Sequence, residues 1–391
     1  MAGRWASRPA LPPRPQRHQL KHLSIRILAG SALVFALAAL PARAADNGHN
    51  IILVTLDGVR VQEFFGGMDA VIAKAPEAQS GIYEAEVTSK RWWRETPEAR
   101  REALMPFIWK TLAPAGMVLG NQARGSKVTV RNDQWFSYPG YSEILTGQAQ
   151  PEIKSNDFVR YPHRTVLEHV RETLSLENTE VAQVGSWDGF KYAAASEDGA
   201  FFMSGARDAV PAALTTPEID LYNGLRQQIQ QLWEESSNDV LSYRIAVEYL
   251  KKHRPRVMWL GLGQSDDWAH ARRYDLVLDY LHLADGLIAE LWQTLQSMDD
   301  YRGRTTLIIT TDHGRGRTPA DWSEHDAGIQ GCQDIWIAIL GPRTPALGEA
   351  SDFPDVTQSD VAATMLQYLD LDWRAFNAEA GPPVPGSLKV E

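Results

Sequence analysis

Cysteine is almost absent from this chain of 391 residues, which contains only Cys332. An internal disulfide is therefore impossible, and a hydrophobic core must hold the fold together. Basic residues are also scarce relative to acidic ones, with 39 Lys and Arg against 49 Asp and Glu. Because an acidic surface repels nucleic-acid phosphates, no nucleic-acid-binding surface is expected. An anionic substrate would need a local positive centre such as a metal ion.

The sequence has no acidic residue before Asp46 and no uninterrupted apolar stretch of the about 20 residues that a membrane-spanning helix needs. Basic residues precede the apolar segment Ile27–Leu40, and Ala42-Arg43-Ala44 follows it. This pattern predicts a signal peptide over residues 1–44, cleaved after Ala44, and hence a secreted or periplasmic protein with no stable membrane span; an uncleaved anchor is the alternative. Cleavage would remove seven cations and no acid, which moves the formal net charge from −10 to −17.

Three apolar runs each lead to a carboxylate: NIILVTL to Asp57, RVMWLGLG to Asp266, and TTLIITT to Asp312. Such continuous runs are typical of buried strands in a parallel sheet, and open α/β sheets bind their ligands at the carboxyl ends of the strands. His313 follows Asp312 directly, and His270 lies four residues after Asp266, on the same face if that segment is helical. A polar turn explains any one of these endings, but three of them favour a shared site.

Predicted strands and helices alternate along the chain, which predicts an α/β fold with a doubly wound, mostly parallel central sheet flanked by helices. Residues 45–391 contain no internal repeat or long low-complexity linker, so we expect a single domain with insertions near residues 61–126 and 189–236, over one end of the sheet. The predicted helices include residues 96–112, which begin with a Thr-Pro cap, and residues 218–235, 239–252 and 274–298. Residues 127–131 are predicted to be a strand.

A hydroxyl group, that of Ser137, stands before Pro139-Gly140 and a short helical run. At a helix N-terminus the unpaired N–H groups and the helix dipole favour an alkoxide or a bound phosphoryl oxygen. A plain N-cap serine is the alternative. With His325 from a polar loop, the candidates comprise three Asp, three His and one hydroxyl, a composition suited to two Zn²⁺ ions about 4 Å apart, although other divalent metals would also fit. Ser137 would then be the nucleophile.

The order of these motifs resembles that of the alkaline phosphatase superfamily, in its nucleotide pyrophosphatase/phosphodiesterase-like and sulfatase-like branches. The resemblance lies in LDGVR at Leu56–Arg60, SYPGYSEILTG at Ser137–Gly147, SDDWAH at Ser265–His270, TDHG at Thr311–Gly314, and the loop around His325. It implies a single catalytic domain of alkaline-phosphatase-like fold. It also implies one metal bound by Asp57, Asp312, His313 and Ser137, and a second bound by Asp266, His270 and His325.

Departures from the family motifs separate the branches. The sulfatase motif has Arg where this chain has Tyr141, and that branch has Asn at His313, which argues against a sulfatase. Phosphodiesterases resemble T-F-P-N-H here, whereas this chain has Gly140 at the Asn position. The Gly resembles a monoesterase pattern, T-x-P-G-H, but that branch carries a Lys-Asp-Arg clamp where this chain has Trp187-Asp188-Gly189.

A dianionic monoester gains most from such cations, so the sequence predicts a zinc-dependent hydrolase that prefers diesters or aryl esters and works through a phosphoseryl intermediate. A phosphomonoesterase, a phosphoryl or headgroup transferase, and a non-catalytic binding protein remain as alternatives. The expected partner is a small-molecule phosphate ester, and the oligomeric state stays open. Tryptophans flank the motifs and would form either an aromatic substrate wall or ordinary packing: Trp135, Trp187, Trp268 and Trp322.

Overall fold

The computed structural model describes residues 46–389. The predicted signal peptide, residues 1–44, lies outside these residues. Within them, no helix combines the length and the apolar composition needed to cross a membrane.

The central sheet of the described residues has eight strands in the order β5-β4-β6-β1-β7-β8-β2-β9, and a separate small sheet pairs β10 with β3. The strands are β1 Asn50–Leu56, β2 Met117–Leu119, β3 Val128–Thr129, β4 Val181–Gly185, β5 Phe202–Ser204, β6 Val257–Leu262, β7 Thr305–Thr310, β8 Ile337–Leu340, β9 Gly348–Glu349 and β10 Val356–Thr357.

Strand β1 lies in the middle of the sheet, paired in parallel with β6 on one side and β7 on the other. All residues of these three strands are buried, as expected for continuous apolar runs covered on both faces. Among the described strands of this sheet only β8 runs antiparallel to its neighbours β7 and β2. The predicted doubly wound, mostly parallel α/β fold is therefore confirmed. The strand predicted at residues 127–131 exists in part, as β3 of the small sheet.

Helices cover both faces of the sheet. The α-helices of the described residues are α1 Val61–Gly66, α2 Ala70–Ala73, α3 Ala85–Trp92, α4 Pro97–Leu104, α5 Ala113–Ala115, α6 Ser137–Thr146, α7 Val166–Thr173, α8 Gly189–Ala194, α9 Pro217–Gln228, α10 Asp239–His253, α11 Gln264–His270, α12 Tyr274–Ser297, α13 Asp360–Tyr368 and α14 Trp373–Phe376.

Successive residues of β1 alternate between two apolar layers, because side chains along a strand point to opposite faces. Ile52 and Val54 pack in the layer that also contains apolar side chains of α1, α4, α10 and α12. Ile51 and Leu53 pack in the opposite layer, with α6, α7, α8 and α13. The central strands are thereby fixed, and with them the polar residues that follow their carboxyl ends.

Two predicted helices differ from expectation. The helix predicted at residues 96–112 begins as predicted, with the Thr96 hydroxyl accepting the Ala99 N–H at 3.2 Å, but it is interrupted: α4 ends at Leu104, and a π-helix, Ile108–Leu112, continues the run to its predicted end. Pro106 causes this break, because a proline disfavours a helical conformation in the residue before it. The helix predicted at residues 218–235 ends at Gln228. The helices predicted at residues 239–252 and 274–298 correspond closely to α10 and α12.

Candidate active site

The carboxyl ends of β1, β6 and β7 lie at one edge of the sheet, because the three strands are adjacent and parallel. Asp57 directly follows β1, and Asp312 comes two residues after β7. Asp266 belongs to α11, which begins two residues after β6. The structure therefore brings together the three carboxylates that the strand pattern singled out.

One group of candidate ligands surrounds the imidazole of His313. Its Nε2 atom lies 3.4 Å from Oδ1 of Asp57, 3.3 Å from Oδ2 of Asp312 and 3.5 Å from Oγ of Ser137. The other ring nitrogen, Nδ1, is 2.8 Å from the Gly314 carbonyl oxygen. Because a carbonyl oxygen only accepts hydrogen bonds, Nδ1 carries the proton, and the neutral tautomer presents the Nε2 lone pair to the three oxygens.

The two carboxylates of this group each have one oxygen held by the protein and one without a donor. Oδ2 of Asp57 accepts the Tyr141 hydroxyl at 2.9 Å, and Oδ1 of Asp312 accepts the Gly58 N–H at 3.0 Å. The remaining oxygens, Oδ1 of Asp57 and Oδ2 of Asp312, are buried without a hydrogen-bond donor among the described residues. Buried carboxylate oxygens without a partner are costly, and these two fit a cation between them.

The electrostatics of this group also favour a cation. Burial and the charge of Asp57 raise the pKa of Asp312. Burial alone would lower the pKa of His313, but the charges of Asp312 and Asp57 outweigh it and raise that pKa. The protein alone thus retains extra protons among these groups, which a bound cation would displace.

A second group contains Asp266, His270 and His325. Nε2 of His270 lies 3.1 Å from Oδ2 of Asp266 and 2.9 Å from Nε2 of His325. Burial lowers the pKa of both imidazoles, and most strongly that of His325, so the neutral form that ligates metals is favoured. The His313 and His325 rings lie with centroids 4.1 Å apart and planes tilted by 33°, and ligand atoms of Asp266, His313 and His325 lie within 4.8 Å of one another. The two groups are therefore neighbours, and their donor sets fit two divalent cations.

The strand pattern did not single out Arg315, which follows the TDHG motif. Its side chain is buried, forms an ion pair with Asp266 and donates to the Ser323 carbonyl oxygen. Gly58, with a positive φ of 62°, makes room for this pair, because a Cβ atom there would lie 2.8 Å from Oδ1 of Asp266 and 2.9 Å from Nε of Arg315. The second group is thus built around a buried cation as well as its predicted ligands.

Ser137 is the first residue of α6, and its hydroxyl makes no helix-capping bond, since the N-cap residue is Phe136. The N-terminus of α6 offers few free N–H groups: Pro139 has none, and the Tyr138 N–H is taken by Oδ1 of Asn156 at 2.8 Å. Glycine at position 140 has a steric explanation, because a Cβ atom there would lie 2.5 Å from the Asp312 carbonyl oxygen. Its close approach brings the start of α6 against the end of β7.

A cavity of about 300 Å³ opens over both groups. Beyond the candidate ligands, its walls carry Asn156, Phe158, Trp187, Trp233 and Glu235. Its ionisable lining residues among the described ones are two imidazoles and four carboxylates, namely His270, His325, Asp57, Asp266, Asp267 and Glu235. Lys191, the cation closest in sequence to the expected clamp, pairs instead with Asp188 and Asp208.

Of the four tryptophans considered from the sequence, Trp187 lines the cavity. Trp322 is buried, donates its indole N–H to the Ala78 carbonyl oxygen and packs against Tyr274, so it is a packing residue. Trp268 packs against the apolar core, and Trp135 is not among the lining residues of the cavity. Trp233 was missed because residues 218–235 read as one continuous helix.

A larger cleft of about 730 Å³ lies elsewhere, between the α1 to α2 region, the start of α4 and residues 120–124. None of the predicted site residues lines it. Its residue Arg101 forms a two-pronged ion pair with Glu349, with both N···O distances 2.9 Å. The chemistry of the side chains therefore points to the smaller cavity.

No protein-family model and no curated protein matches this sequence. Solved structures match its fold. The alkaline phosphatase PafA superposes with a TM-score of 0.55 at 10% identity over 87% of this chain and 98% of its own. The lipoteichoic acid synthase LtaP from Listeria monocytogenes gives 0.52 at 11% identity, over 83% and 72%. BT1596, a 2-O GAG sulfatase, gives 0.51 at 13% identity, over 83% and 71%. These likenesses confirm the alkaline-phosphatase-like fold that the motifs predict.

Proposed function

We propose that this chain, which has the alkaline-phosphatase-like fold, is a metal-dependent hydrolase of phosphate esters in which Ser137 is the nucleophile. The observation that carries the proposal is the position of the Ser137 hydroxyl. It lies 3.5 Å from Nε2 of His313, and the oxygens of Asp57 and Asp312 that lack donors face the same atom. A hydroxyl in such a setting, free of any capping role, supports the proposal because it could attack a phosphoryl group bound beside it.

Asp57, Asp312, His313 and Ser137 would hold one divalent cation, and Asp266, His270 and His325 the other. Bound there, two zinc ions would polarise the phosphoryl group and lower the pKa of the attacking hydroxyl. The protein orients the ligands from behind: Tyr141 and Gly58 fix the two carboxylates, and the Gly314 carbonyl fixes the His313 tautomer.

The proposed reaction has two displacements. In the first, Ser137 Oγ gives up its proton and bonds to phosphorus while the bond from phosphorus to the leaving-group oxygen breaks, and that oxygen takes up one proton in its place. In the second, a water oxygen bonds to phosphorus, the bond to Oγ breaks, and Oγ regains a proton from the water. The sum is an ester plus water giving an alcohol and a phosphate.

The charge of the cavity supports a preference for diesters or aryl esters. Its lining includes the Glu235 carboxylate besides the candidate ligands, and a carboxylate there repels a dianionic monoester more than a monoanionic diester. Tyr141 and His313, at the places of the sulfatase Arg and Asn, argue against sulfate esters. The phosphomonoesterase and the transferase remain the competing functions.

An ester panel on the purified, zinc-loaded protein tests the proposal. Bis(4-nitrophenyl) phosphate, 4-nitrophenyl phosphate and 4-nitrophenyl sulfate would be compared with and without an acceptor alcohol, beside Asp312→Asn as the inactive control. We expect the diester to have the highest kcat/KM. A tenfold preference for the monoester, about 1.4 kcal/mol in transition-state terms, would favour the phosphomonoesterase instead. Turnover that requires the alcohol would favour the transferase. No turnover of any ester, with or without the alcohol, would contradict the hydrolase and the transferase alike.

A further inference from the structure

The outer half of the active-site cavity, beyond Ser137, is walled by three aromatic rings and one carboxylate, those of Phe158, Trp187, Trp233 and Glu235. Two of the rings are unusually open for large apolar side chains, with Trp233 46% and Phe158 39% exposed. Exposed rings that cluster at the mouth of a cavity indicate a binding surface more than a packing one.

Backbone bonds fix one wall of this outer half. The Asp188 N–H donates to the Glu235 carbonyl oxygen at 3.0 Å, and the Ser237 N–H donates to the Ser186 carbonyl oxygen at 2.7 Å. Trp187 and Ser236 form an antiparallel bridge between the two segments. The segment that carries Trp233 and Glu235 is therefore held beside Trp187, outside α9, which ends at Gln228.

Phe158 comes from a different segment, after α6, and completes the aromatic surface. Its ring meets the Trp187 ring at 64° with centroids 5.8 Å apart, and it stacks on Tyr192 at 5.4 Å. The ring is thus supported from behind by Tyr192 while its own face stays partly open. Trp233 in turn lies near the candidate ligand His270, with ring centroids 6.4 Å apart. The aromatic surface therefore extends from the metal-binding residues to the mouth.

Glu235 has no hydrogen-bond or ion-pair partner for its carboxylate within residues 46–389. The nearby cations are engaged elsewhere: Lys191 pairs with Asp188 and Asp208, and Nε of Arg207 donates to the Ser236 carbonyl oxygen at 3.4 Å. Glu235 also belongs to neither of the clusters of possible metal ligands that the described residues form. Its charge remains available to a ligand.

We propose that this outer half binds an alkylammonium group, so that the substrate is a phosphate ester of a choline-type or ethanolamine-type alcohol. Aromatic faces attract a quaternary or primary ammonium through their quadrupole, and a carboxylate adds a charge of the opposite sign. A neutral ring would stack on the same surface but leave Glu235 uncompensated, and an anionic group would be repelled. The inference rests on the proposed function, and the ammonium group itself takes no part in bond making or breaking.

A pair of esters of equal shape tests the proposal. 4-Nitrophenyl phosphorylcholine carries a trimethylammonium group, and 3,3-dimethylbutyl 4-nitrophenyl phosphate replaces its nitrogen by carbon. We expect kcat/KM to be at least tenfold higher for the ammonium ester. Equal kcat/KM values for the two esters would overturn the inference while leaving the phosphate-ester hydrolase intact. Parallel assays with glycerophosphocholine and with phosphatidylcholine vesicles distinguish a soluble ester from a lipid headgroup, and cleavage of either supports the proposal.

Variants of neighbouring residues give the matched control. Glu235→Gln should reduce the ratio of the two kcat/KM values to near one, and Trp233→Leu should reduce it in the same direction. Glu234→Gln alters the exposed carboxylate next in sequence and should keep the wild-type ratio. An equal reduction by Glu234→Gln and Glu235→Gln would indicate a general charge effect and overturn the assignment.

A binding measurement separates this inference from the proposed hydrolysis. Choline and 3,3-dimethylbutanol would be titrated into the protein and followed by tryptophan fluorescence, since Trp187 and Trp233 line the cavity. We expect a saturable change with choline only, lost in Glu235→Gln. Choline binding by a protein that cleaves no ester would support the ammonium site and contradict the hydrolase. Absence of choline binding by a protein that cleaves both esters equally would contradict the ammonium site and support the hydrolase.

Discussion

The hydroxyl of Tyr141 donates a 2.9 Å hydrogen bond to Oδ2 of Asp57. Both side chains are buried, and burial, followed by the charges of Asp312 and Asp57, raises the pKa of Tyr141 well above its usual value, so the phenol stays protonated as a donor. A neutral donor orients the carboxylate without cancelling its charge. Oδ1 of Asp57 is thereby directed to the side of His313, 3.4 Å away, where a cation would gain most from it.

Removing this hydroxyl should therefore weaken metal binding more than folding. We expect Tyr141→Phe to lower zinc affinity by about 10-fold to 100-fold, the range typical for lost supports of metal ligands. Competition with a fluorescent chelator measures the affinity. Tyr249→Phe is the control, because Tyr249 lies on α10, away from the site, and its hydroxyl donates to the Thr179 carbonyl oxygen. Equal zinc affinities in wild type and Tyr141→Phe would contradict the orienting role.

The two ligand groups should each hold one ion. We predict close to two zinc ions in the purified protein, and one ion fewer in Asp312→Ala and in Asp266→Ala, as measured by elemental analysis. Chelator should also lower the midpoint of thermal unfolding, because the empty site keeps carboxylates in mutual repulsion. Asp279→Ala, at a residue paired with Arg91 outside the cavity, serves as the control. A folded protein that carries no metal and keeps its unfolding midpoint in chelator would refute the prediction.

Gly140 should tolerate no side chain. A Cβ atom there would meet the Asp312 carbonyl oxygen at 2.5 Å, so Gly140→Ala must push α6 away from β7. We expect a loss of about 1–3 kcal/mol in the free energy of unfolding, the usual cost of overpacking, together with a loss of activity. Denaturant unfolding measures the first effect.

Gly224→Ala is the matched control for Gly140→Ala, because Gly224 lies within α9 and a Cβ atom there would meet nothing within 4 Å. This substitution should leave stability unchanged or raise it by about 0.5–1 kcal/mol, since Ala favours the helix over Gly. If Gly140→Ala proved as stable as Gly224→Ala, the close approach of α6 to β7 would not be rigid.

His169, on α7, should make stability depend on pH. Its burial, reinforced by Arg164 and opposed by Asp372, lowers its pKa to about 4, below the usual 6.5 that the unfolded chain would show. Between about pH 4 and 6.5 the unfolded state binds more protons than the folded state. The contribution of His169 to the free energy of unfolding is therefore fully present above pH 6.5 and is lost as pH falls to 4. The shift corresponds to at most about 3.4 kcal/mol.

His169→Leu should therefore flatten the fall in stability on acidification. Denaturant unfolding of wild type and variant at intervals from pH 4 to 7 measures the difference in slope, and the comparison cancels the contributions of other titrating groups. The free energy of unfolding of wild type minus that of His169→Leu should decrease as pH falls from 6.5 to 4. Parallel curves would show that His169 accepts a proton equally in both states.

Much of the site could be predicted because it depends on local pattern. Asp57 and Asp312 follow strands that are apolar throughout, and parallel neighbouring strands end at one edge. Asp266 and His270 were paired by helical spacing, and α11 provides it. In these cases the sequence period and the tertiary structure agree.

The rest depends on contacts between distant segments. The composition of the segment after Gln228 is typical of a helix, but its backbone pairs with residues 186–188. The spacing of apolar residues within a segment does not predict such pairing with a distant segment. Arg315 belongs to no strand-end pattern, although it pairs with Asp266. The early end of α4, in contrast, was readable, because Pro106 stands inside the predicted helix.

The role of Ser137 is the central claim, and acid trapping of the enzyme during turnover tests it most directly. With a ³²P-labelled ester and a quench at low pH, the account predicts one labelled peptide with the phosphate on Ser137, and none in Ser137→Ala. That variant should keep its fold and most of its metal and lose at least about 100-fold in kcat, whereas Ser137→Thr should keep part of the activity. Label on Ser142, or normal turnover by Ser137→Ala, would contradict the account.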